Sequence, residues 1–233
     1  SLEKLSAPAG GQVAIGPEML RSSLADPLAQ IQTLAQAGDP AKALPIIQAQ
    51  GQKMDFNIRN MMYHFGAPAA SRAALPLNEL VDTEIIGKLR QHVVTARLLS
   101  GRTDIGQGLK VAKNLAKDLP NIYFDIEYFR HVVANVVVNS LMALKPNGEL
   151  KVMSRLKPGA ADRVELVIFD NGAGISPDDQ ARLFTPFSPL GRKTLGLGLA
   201  VSRKLMNACG GQILVKSTPG ANTLVTIEFP AAS

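Results

Sequence analysis

The sequence predicts an α+β protein in which an N-terminal antiparallel helical hairpin precedes an α/β two-layer sandwich. Three observations support this fold class. Apolar residues recur at helical spacing through residues 17–66. Short runs typical of β-strands, bounded by turn residues, occupy much of the chain after residue 108. A strongly apolar helical stretch at 129–144 lies among them, and helices packed on one face of a sheet would explain both.

The hairpin is predicted from two helical patterns joined by a short turn. The first begins at Pro17 and ends at Gly38, after which Asp39 is placed to cap the second helix and Pro40 suits its first turn. The second helix carries a heptad-like apolar stripe: Ile47, Met54, Ile58, Met61 and Phe65. Because two helices cannot cover both apolar stripes, we expect two copies to form a dimeric four-helix bundle.

The rest of the chain alternates between predicted helices, loops and strands. A Pro-, Ala- and Gly-rich segment at 66–76 marks a domain boundary, and a helix is predicted at 82–99 before a loop at 100–108. Asp125 is positioned to cap the central helix. Strands are predicted at 109–115, 121–125, 149–156, 163–170, 212–217 and 223–229.

The sequence patterns divide the chain into three parts. We expect a linker or tag remnant at 1–16, a dimerisation hairpin at 17–66 and a second domain at 75–233.

Composition excludes several classes of protein. The net charge of +6 is dispersed without a basic run, which argues against a nucleic-acid-binding protein. No apolar run approaches transmembrane length and no signal peptide is evident, so we expect a cytoplasmic location without membrane contact. A single cysteine, Cys209, excludes an internal disulfide.

The central helix carries two amide side chains in an otherwise apolar sequence. Asn135 and Asn139 are four residues apart, so they project from the same side of the helix, displaced from its valine stripe. Asn is a mediocre helix former, which suggests that both residues serve a polar function. A side-chain carbonyl oxygen there can ligate Mg²⁺, which takes oxygen ligands and keeps substrate phosphates in its coordination shell.

An apolar strand then ends at Asp170 and enters a turn that contains Gly172 and Gly174. A carboxylate at the strand end can accept a hydrogen bond from an exocyclic amine such as adenine N6. Glycine permits positive φ and close approach of the backbone to a flat ligand. This stretch therefore predicts a base-binding turn.

Two more motifs complete the set. The segment LFTPF at 183–187 places two aromatic residues around a proline, an arrangement expected to anchor a loop. Gly196 and Gly198 then stand at the start of an amphipathic helix, where backbone N–H groups can bind phosphates. The four motifs in this order predict a nucleotide site.

The ordered set resembles the N, G1, F and G2 boxes of the ATP-binding domains shared by sensor histidine kinases, gyrase, Hsp90 and the mismatch-repair ATPases. It is most similar to the histidine kinases, over roughly residues 75–230. The resemblance implies ATP and Mg²⁺ as ligands, with Asn139 binding the metal, Asn135 supporting metal and phosphates, and Asp170 reading adenine. The other implied nucleotide-binding residues are Gly172, Gly174, Lys193, Thr194, Gly196, Leu197 and Gly198.

Asn135 distinguishes between branches of this family. The ATP-hydrolysing branches resemble one another in carrying a glutamate four residues before the Mg²⁺-binding asparagine, as general base for water. Asn135 occupies that position here and has no proton-accepting carboxylate. The site is therefore expected to favour transfer to another nucleophile over hydrolysis, which argues against a gyrase-like or mismatch-repair-like ATP-hydrolysing clamp.

The phosphoacceptor position departs from the histidine kinase pattern. That family's first hairpin helix is similar to His-Glu-x-x-Asn/Thr-Pro-Leu, and the matching stretch here is Ser22-Ser23-Leu24-Ala25-Asp26-Pro27-Leu28. Ser22 replaces the histidine, whether naturally or by engineering. A serine hydroxyl needs an activating base, which Ser23 does not supply, so autokinase activity at Ser22 is in doubt.

Three histidines are candidates for a substitute role. His64 lies at the end of the second hairpin helix, which favours a helix-end role. His92 has no partner that the sequence identifies. His131 lies four residues before Asn135, where a structural role competes with a phosphate contact or an acid–base role.

The lid between Phe187 and Gly196 is short and basic. Arg192 and Lys193 can each reach a β- or γ-phosphate or remain solvated. The second glycine box usually resembles Gly-Thr-Gly-Leu-Gly-Leu, and Thr194 replaces its first glycine. We expect this loss of a flexible hinge to affect γ-phosphate placement more than nucleotide binding.

The sequence as a whole predicts the cytoplasmic portion of a sensor histidine kinase, a homodimer through its hairpin that uses Mg²⁺-ATP for γ-phosphoryl transfer. The resemblance implies a response regulator receiver domain as partner. The alternative is a non-catalytic ATP-binding dimeric signalling module that regulates a partner protein, and Ser22 in place of histidine favours it.

Overall fold

The computed structural model describes residues 24–36, 40–188 and 194–232. The features predicted at Ser22, Asp39, Arg192 and Lys193 lie outside these ranges. Helices α1 (Asp26–Gln36) and α2 (Pro40–Gly66) form the predicted antiparallel hairpin. Gln50 of α2 donates to the Gln30 side chain of α1 at 2.7 Å, which links the two helices.

A mixed α/β unit follows the hairpin. Its elements in order are β1 (Arg72–Leu75), α3 (Leu77–Leu80), a π-helical turn (Val81–Ile86), α4 (Leu89–Ser100), β2 (Lys110–Leu115), β3 (Ile122–Asp125), α5 (Ile126–Ala143), β4 (Glu149–Lys157), β5 (Ala160–Asp170), α6 (Pro177–Arg182), α7 (Gly198–Ala208), β6 (Gln212–Thr218) and β7 (Asn222–Pro230). No helix among the described residues combines the length and the apolar character that crossing a membrane requires.

The main sheet has five strands in the order β2-β4-β5-β7-β6, and its core lies between the sheet and helices α5 and α7. Strand β2 is parallel to β4, and the other neighbours are antiparallel. Strands β1 and β3 form a separate antiparallel pair, in which Arg72 lies opposite Asp125. The predicted fold class, a helical hairpin followed by a two-layer sandwich, is confirmed.

The prediction of a single helix at 82–99 is wrong in two respects: the helical segment starts earlier, and a π-helical turn interrupts it. The helical segment begins at Leu77 and passes through a π-turn, closed by a bond from Gly87 N–H to the Asp82 carbonyl at 2.8 Å. A Cβ at Gly87 would lie 2.9 Å from the Thr83 carbonyl oxygen, so glycine permits this wider turn. Apolar spacing alone does not report a one-residue insertion of this kind.

Helix α5 begins at the predicted cap. Asp125 Oδ1 accepts from the backbone N–H groups of Glu127 at 2.8 Å and Tyr128 at 3.0 Å, while Oδ2 accepts from Ser71 N–H at 2.6 Å. The carboxylate thus satisfies two helix-end donors and ties the helix to the segment before β1. Beyond the cap, Val132, Val136 and the other core-facing side chains of α5 are fully buried.

The second half of α2 packs against α4 and α7. Lys204 of α7 donates to the last carbonyls of α2, at 3.1 Å from Tyr63 O and 2.7 Å from His64 O, which suits the negative end of a helix dipole. The opposite side of α2 leaves Ile58 and Phe65 of the predicted stripe exposed in the single chain. The dimeric bundle stays a prediction.

His131 of α5 faces α2 rather than solvent. Its Nε2 lies 3.1 Å from Asn60 Oδ1, and its ring centroid is 4.5 Å from that of Tyr63. Burial, reinforced by the Arg59 charge and opposed by Asp55, lowers the pKa of His131 to about 4. The imidazole is therefore neutral near pH 7, and its contacts favour the structural role over the acid–base one.

We expect Asp125→Ala to lower the free energy of unfolding by about 1–3 kcal/mol, because it removes a cap and leaves backbone donors without their acceptor. Urea unfolding followed by circular dichroism measures this loss. Asp162→Ala is the matched control, since that carboxylate is 82% exposed and should change stability little. Equal losses in both variants would contradict the capping role.

We expect His131 to make the folded protein less stable over a defined range of acidic pH. Its folded-state pKa lies below the unfolded value near 6.5, so the unfolded state binds a proton first as the pH falls. The contribution of neutral His131 to the free energy of unfolding is about 3 kcal/mol. It is fully present above about pH 6.5 and is lost as the pH falls toward 4. His131→Gln keeps a donor for Asn60 but does not titrate. Urea midpoints measured from pH 4 to 7 should fall less in this variant, and parallel profiles would contradict the assignment.

Candidate functional site

One pocket collects the predicted site residues from three elements. Helix α5 contributes Asn135 and Asn139, and the end of β5 contributes Asp170. The remaining predicted residues that line it are Gly174, Thr194, Gly196, Leu197 and Gly198. Gly172 lies beside the pocket under Asp170, and Lys193 lies outside the described residues. The structure thus brings together motifs that are separated by up to 63 residues in the chain.

At one end of the pocket, Asp170 lies buried beneath the turn that contains Gly172 and Gly174. The side chain is 1% exposed, and Oδ1 accepts from Gly172 N–H at 3.1 Å. A Cβ at Gly172 would lie 2.6 Å from the Ala143 carbonyl oxygen, so glycine lets the turn pack on the end of α5. Gly174 combines a positive φ of 66° with a close backbone contact, since a Cβ there would lie 2.1 Å from the Thr218 carbonyl oxygen. Close packing against backbone therefore requires glycine at both positions.

The strand beside Asp170 adds pocket residues that the sequence did not reveal. Thr223 of β7 lies directly opposite Asp170 in the sheet, and Val225 follows it on the same face. Val215 of β6 completes this apolar wall. Nothing in these residue types signals a binding role, because only the strand register places them beside the carboxylate.

The other end of the pocket is the start of α7. Gly196 has a φ of 64°, and the helix begins at Gly198 after Leu197, which makes no side-chain cap hydrogen bond. The first N–H groups of a helix have no intrahelical acceptor, so this end can bind an anion. A Cβ at Gly198 would lie 3.0 Å from Asn135 Oδ1. Glycine therefore lets the helix start approach Asn135 closely.

The side chains of the pocket suit a metal cation whose coordination shell also includes phosphate oxygens. Asn139 lines the pocket one helical turn after Asn135 and offers a side-chain carbonyl oxygen. Among the described residues, no group of three His, Cys, Asp or Glu side chains is placed to hold a metal ion. A small hard cation here would depend on ligand phosphates and water for the rest of its coordination, which is typical of Mg²⁺.

The hairpin contributes two pocket residues that sequence reasoning missed. Asn57 and Asn60 of α2 line the pocket beside Asn135 and are 3% and 2% exposed. A signal was present, since Asn57, Asn60 and His64 share one face of α2 next to the apolar stripe. Two asparagines on a buried face indicate a polar partner elsewhere in the protein.

None of the three histidines lines this pocket. His92 Nε2 lies 2.9 Å from the Glu84 carbonyl oxygen, and burial lowers its pKa. His64 packs edge-on against Phe65 and Phe187 at the end of α2, and burial, together with the Lys204 charge, lowers its pKa. These contacts account for both side chains without a role in chemistry.

The aromatic pair of the third motif supports the loop that leads toward α7. The guanidinium of Arg203 lies 4.7 Å from the ring centroid of Phe184, and its Nη2 donates to the Phe184 carbonyl at 3.3 Å. Phe187 has a φ of 58°, uncommon for a bulky residue, and its ring centroid is 5.1 Å from that of His64. Phe184 is thus held against α7, and Phe187 is held against the end of α2.

Comparison with known proteins identifies the domain. The family model described as histidine kinase-, DNA gyrase B-, and HSP90-like ATPase matches residues 124–233. The adaptive-response sensory kinase SasA of Crocosphaera subtropica is 30% identical over 130 residues, covering 53% of this chain and 33% of SasA. The chain spans a third or less of the length of such curated relatives.

Solved structures show the same fold over nearly the whole chain. The Acinetobacter baumannii histidine kinase AdeS aligns with a TM-score of 0.63 at 18% identity, covering 94% of this chain and all of that one. Histidine kinase ThkA, in complex with response regulator protein TrrA, aligns at 0.62 and 16% identity over 94% of this chain and 62% of that chain. Residues 124–233 therefore match the family of histidine kinase-, DNA gyrase B- and HSP90-like ATPases, and the relatives and solved structures named here that resemble this chain are sensor kinases.

Proposed function

We propose that this chain is the kinase portion of a two-component sensor, which binds Mg²⁺-ATP and presents its γ-phosphoryl group for transfer. The observation that carries the proposal is the convergence of Asn135, Asn139, Asp170 and the start of α7 on one pocket. An adenine at the Asp170 end would place its phosphates toward the N-terminus of α7.

Each wall of the pocket has a distinct task in this proposal. The Asp170 carboxylate accepts from the adenine amine, while Val215 and Val225 pack on the base. The first N–H groups of α7 and the Asn135 amide bind phosphate oxygens. Asn139 would hold Mg²⁺, which neutralises phosphate charge when bound. Catalysis in such a site comes mainly from positioning and charge neutralisation.

The amide at position 135 directs the chemistry toward transfer. A water nucleophile needs a base that removes its proton, and an amide side chain cannot serve as one. The carboxylates that line the pocket among the described residues have other tasks in this proposal, since Asp170 binds the Gly172 N–H and the adenine amine, and Asp179 pairs with Arg182 at 2.9 Å. The acceptor is thus a side chain brought from outside the pocket.

The partners follow from the same proposal. The apolar stripe of α2 is exposed at Ile58 and Phe65, which supports a homodimer through the hairpin. The complex of ThkA with a response regulator supports a receiver domain as downstream partner. We propose that this chain passes its signal to such a domain.

Ser22 favours a second candidate function. If the acceptor position cannot be phosphorylated, the same pocket serves a non-catalytic module in which ATP binding rearranges the dimer. Both candidates require nucleotide binding, and they differ in whether the γ-phosphoryl group leaves ATP.

We expect Asp170→Asn to weaken ATP binding at least tenfold. The remaining oxygen can still accept from Gly172 N–H, but the new NH₂ group faces the adenine amine as donor against donor. Isothermal titration calorimetry of the full chain measures the loss. Asp179→Asn removes the same charge from the half-buried rim and should bind within about twofold of the parent. Equal affinity of the parent and Asp170→Asn would contradict the assignment of the adenine end.

The transfer step is tested by restoring a nucleophile. We expect the parent chain to remain unlabelled by γ-labelled ATP and Mg²⁺, and Ser22→His to acquire an acid-labile, alkali-stable label, because imidazole nitrogen is nucleophilic near neutral pH. Peptide mapping locates the label, and Asn139→Ala in the Ser22→His background should remove it.

Other outcomes decide between the two candidates. A Ser22→His chain that binds ATP but stays unlabelled would favour the ATP-gated dimer module. Acid-stable label on Ser22 in the parent would show that the serine itself accepts phosphate.

A further inference from the structure

A second cleft lies between α2, α4 and α5, on the opposite side of α5 from Asn135 and Asn139. Its volume is about 350 Å³, which is in the size range of small-molecule sites. It shares no lining residue with the nucleotide pocket. The two cavities are therefore separate, and a ligand of the second one would be recognised by other groups.

Two buried histidines line this cleft from different helices. His92 of α4 is 6% exposed, and His131 of α5 is 8% exposed. A neutral imidazole carries one N–H donor and one nitrogen lone pair. The hydrogen bonds of each ring therefore decide which nitrogen can act as an acceptor for a ligand.

The neighbours of both rings place the hydrogen on Nε2. In His92 this atom lies 2.9 Å from the Glu84 carbonyl oxygen, which can only accept. Next to His131, Asn60 Nδ2 donates to the Phe56 carbonyl at 3.0 Å, so the atom that lies 3.1 Å from His131 Nε2 is the Asn60 oxygen Oδ1. Nε2 is the donor in both rings, and each lone pair therefore lies on Nδ1.

Both Nδ1 atoms are available to a ligand. Neither has a hydrogen-bond partner among the described residues. Every side-chain nitrogen and oxygen atom in this part of the chain that is shielded from water does have a partner. The Nδ1 atoms of His92 and His131 are therefore not shielded, and the cleft is the cavity that both residues line. Two acceptors of the same kind thus face one small space.

The two imidazoles remain neutral acceptors near pH 7. Burial is the main cause that lowers the pKa of each ring, to about 4 for His131. Burial that disfavours an imidazolium also disfavours a cationic ligand at the same place. An anion finds no donor on either ring, since the single N–H of each is already in use. The space beside His92 and His131 thus favours an uncharged donor.

The other side chains that line the cleft add no net charge. The charged ones are Asp55, Glu84, Glu127, Arg59, Lys88 and Arg130. Each of them is in an ion pair with another member of this set. Phe56, Ala134 and Val138 supply apolar surface. The cleft therefore suits an apolar body that carries polar hydrogens better than it suits an ion.

We propose that this cleft is a second ligand site, which takes an uncharged small molecule with at least two N–H or O–H donors on an apolar body. The donors bind Nδ1 of His92 and Nδ1 of His131, and the apolar body packs on Phe56 and Val138. Because the two acceptors belong to different packed helices, they select for the spacing of the donors as well as for their presence. The site is separate from the nucleotide pocket, so this inference and the proposed function can each fail without the other.

A cleft that is filled only by water is the competing explanation, because water also donates to an imidazole lone pair. It predicts that a donor-bearing molecule leaves both histidines unchanged. A response that is confined to these two rings and to donor-bearing molecules therefore decides between the explanations.

The first experiment titrates phenylurea, an uncharged molecule with three N–H groups on an aromatic ring, into the ¹⁵N-labelled full chain. Imidazole nitrogen resonances report the tautomer and the hydrogen bonding of each histidine. We expect Nδ1 of His92 and of His131 to be unprotonated in the free chain and to shift with phenylurea. His64 lines neither cavity, and its resonances should stay unchanged.

Two analogues separate the role of the donors from that of shape and charge. Fully N-methylated phenylurea lacks donors, whereas phenylguanidinium keeps them but carries a charge. We expect neither to shift the two Nδ1 resonances at concentrations at which phenylurea does. The inference is overturned by the absence of a shift with phenylurea, by an equal shift with either analogue, or by a hydrogen on Nδ1 of either ring in the free chain.

The second experiment removes one acceptor at a time. His92→Gln and His131→Gln keep an N–H donor near the position of Nε2 but have no nitrogen lone pair in place of Nδ1. We expect each to bind phenylurea about three- to tenfold more weakly than the parent, as followed by the resonances of the remaining histidine, with His64→Gln as the unaffected control. Circular dichroism verifies the fold of each variant, and the spectra of the parent chain decide alone if a variant does not fold. Equal affinity in the parent and in both folded variants overturns the inference.

Discussion

A buried amide in the central helix sets the arrangement of everything around it. Asn135 is enclosed in a valine-rich helix, and a polar group removed from water is costly unless it is hydrogen-bonded. Its partners come from two directions, Asn60 on the hairpin and Ser202 on α7. The hairpin, the central helix and helix α7 therefore meet at the Asn135 side chain, and none of them can move without changing the hydrogen bonds of that side chain.

Close backbone packing imposes a second constraint on the pocket. A side chain at Gly172 would collide with the last carbonyl of α5, and one at Gly198 would crowd the Asn135 side chain. The central helix is thus held between the turn at Gly172 on one side and the start of α7 on the other. This explains how motifs far apart in sequence keep a fixed separation along the pocket.

Local chemistry made much of the structure predictable. Asp125 caps α5 because a carboxylate before a helical stretch satisfies its first donors, and strands β4 to β7 follow from short apolar or alternating runs. The order of the motifs placed Asn139 and Asp170 in one pocket. Residues supplied by tertiary neighbours were not predictable in this way. Thr223 enters through strand register, Asn60 through docking of a separate helix, and the π-turn at Val81–Ile86 through one extra residue in a helical pattern.

The contacts that hold the hairpin differ in chemistry from those on the outer face of the sheet. On the sheet, Arg155 pairs with the buried Glu165 at 2.6 Å, and Lys157 pairs with the buried Glu228 at 2.8 Å. Breaking such a pair leaves an uncompensated charge, which is strongly destabilising. The Asn60 contacts join neutral groups, each worth about as much as an ordinary hydrogen bond. The same interface packs Phe56, Met61 and Tyr63 against the core and places Lys204 on the last carbonyls of α2, so apolar burial and a charge-assisted contact hold the hairpin in register as well.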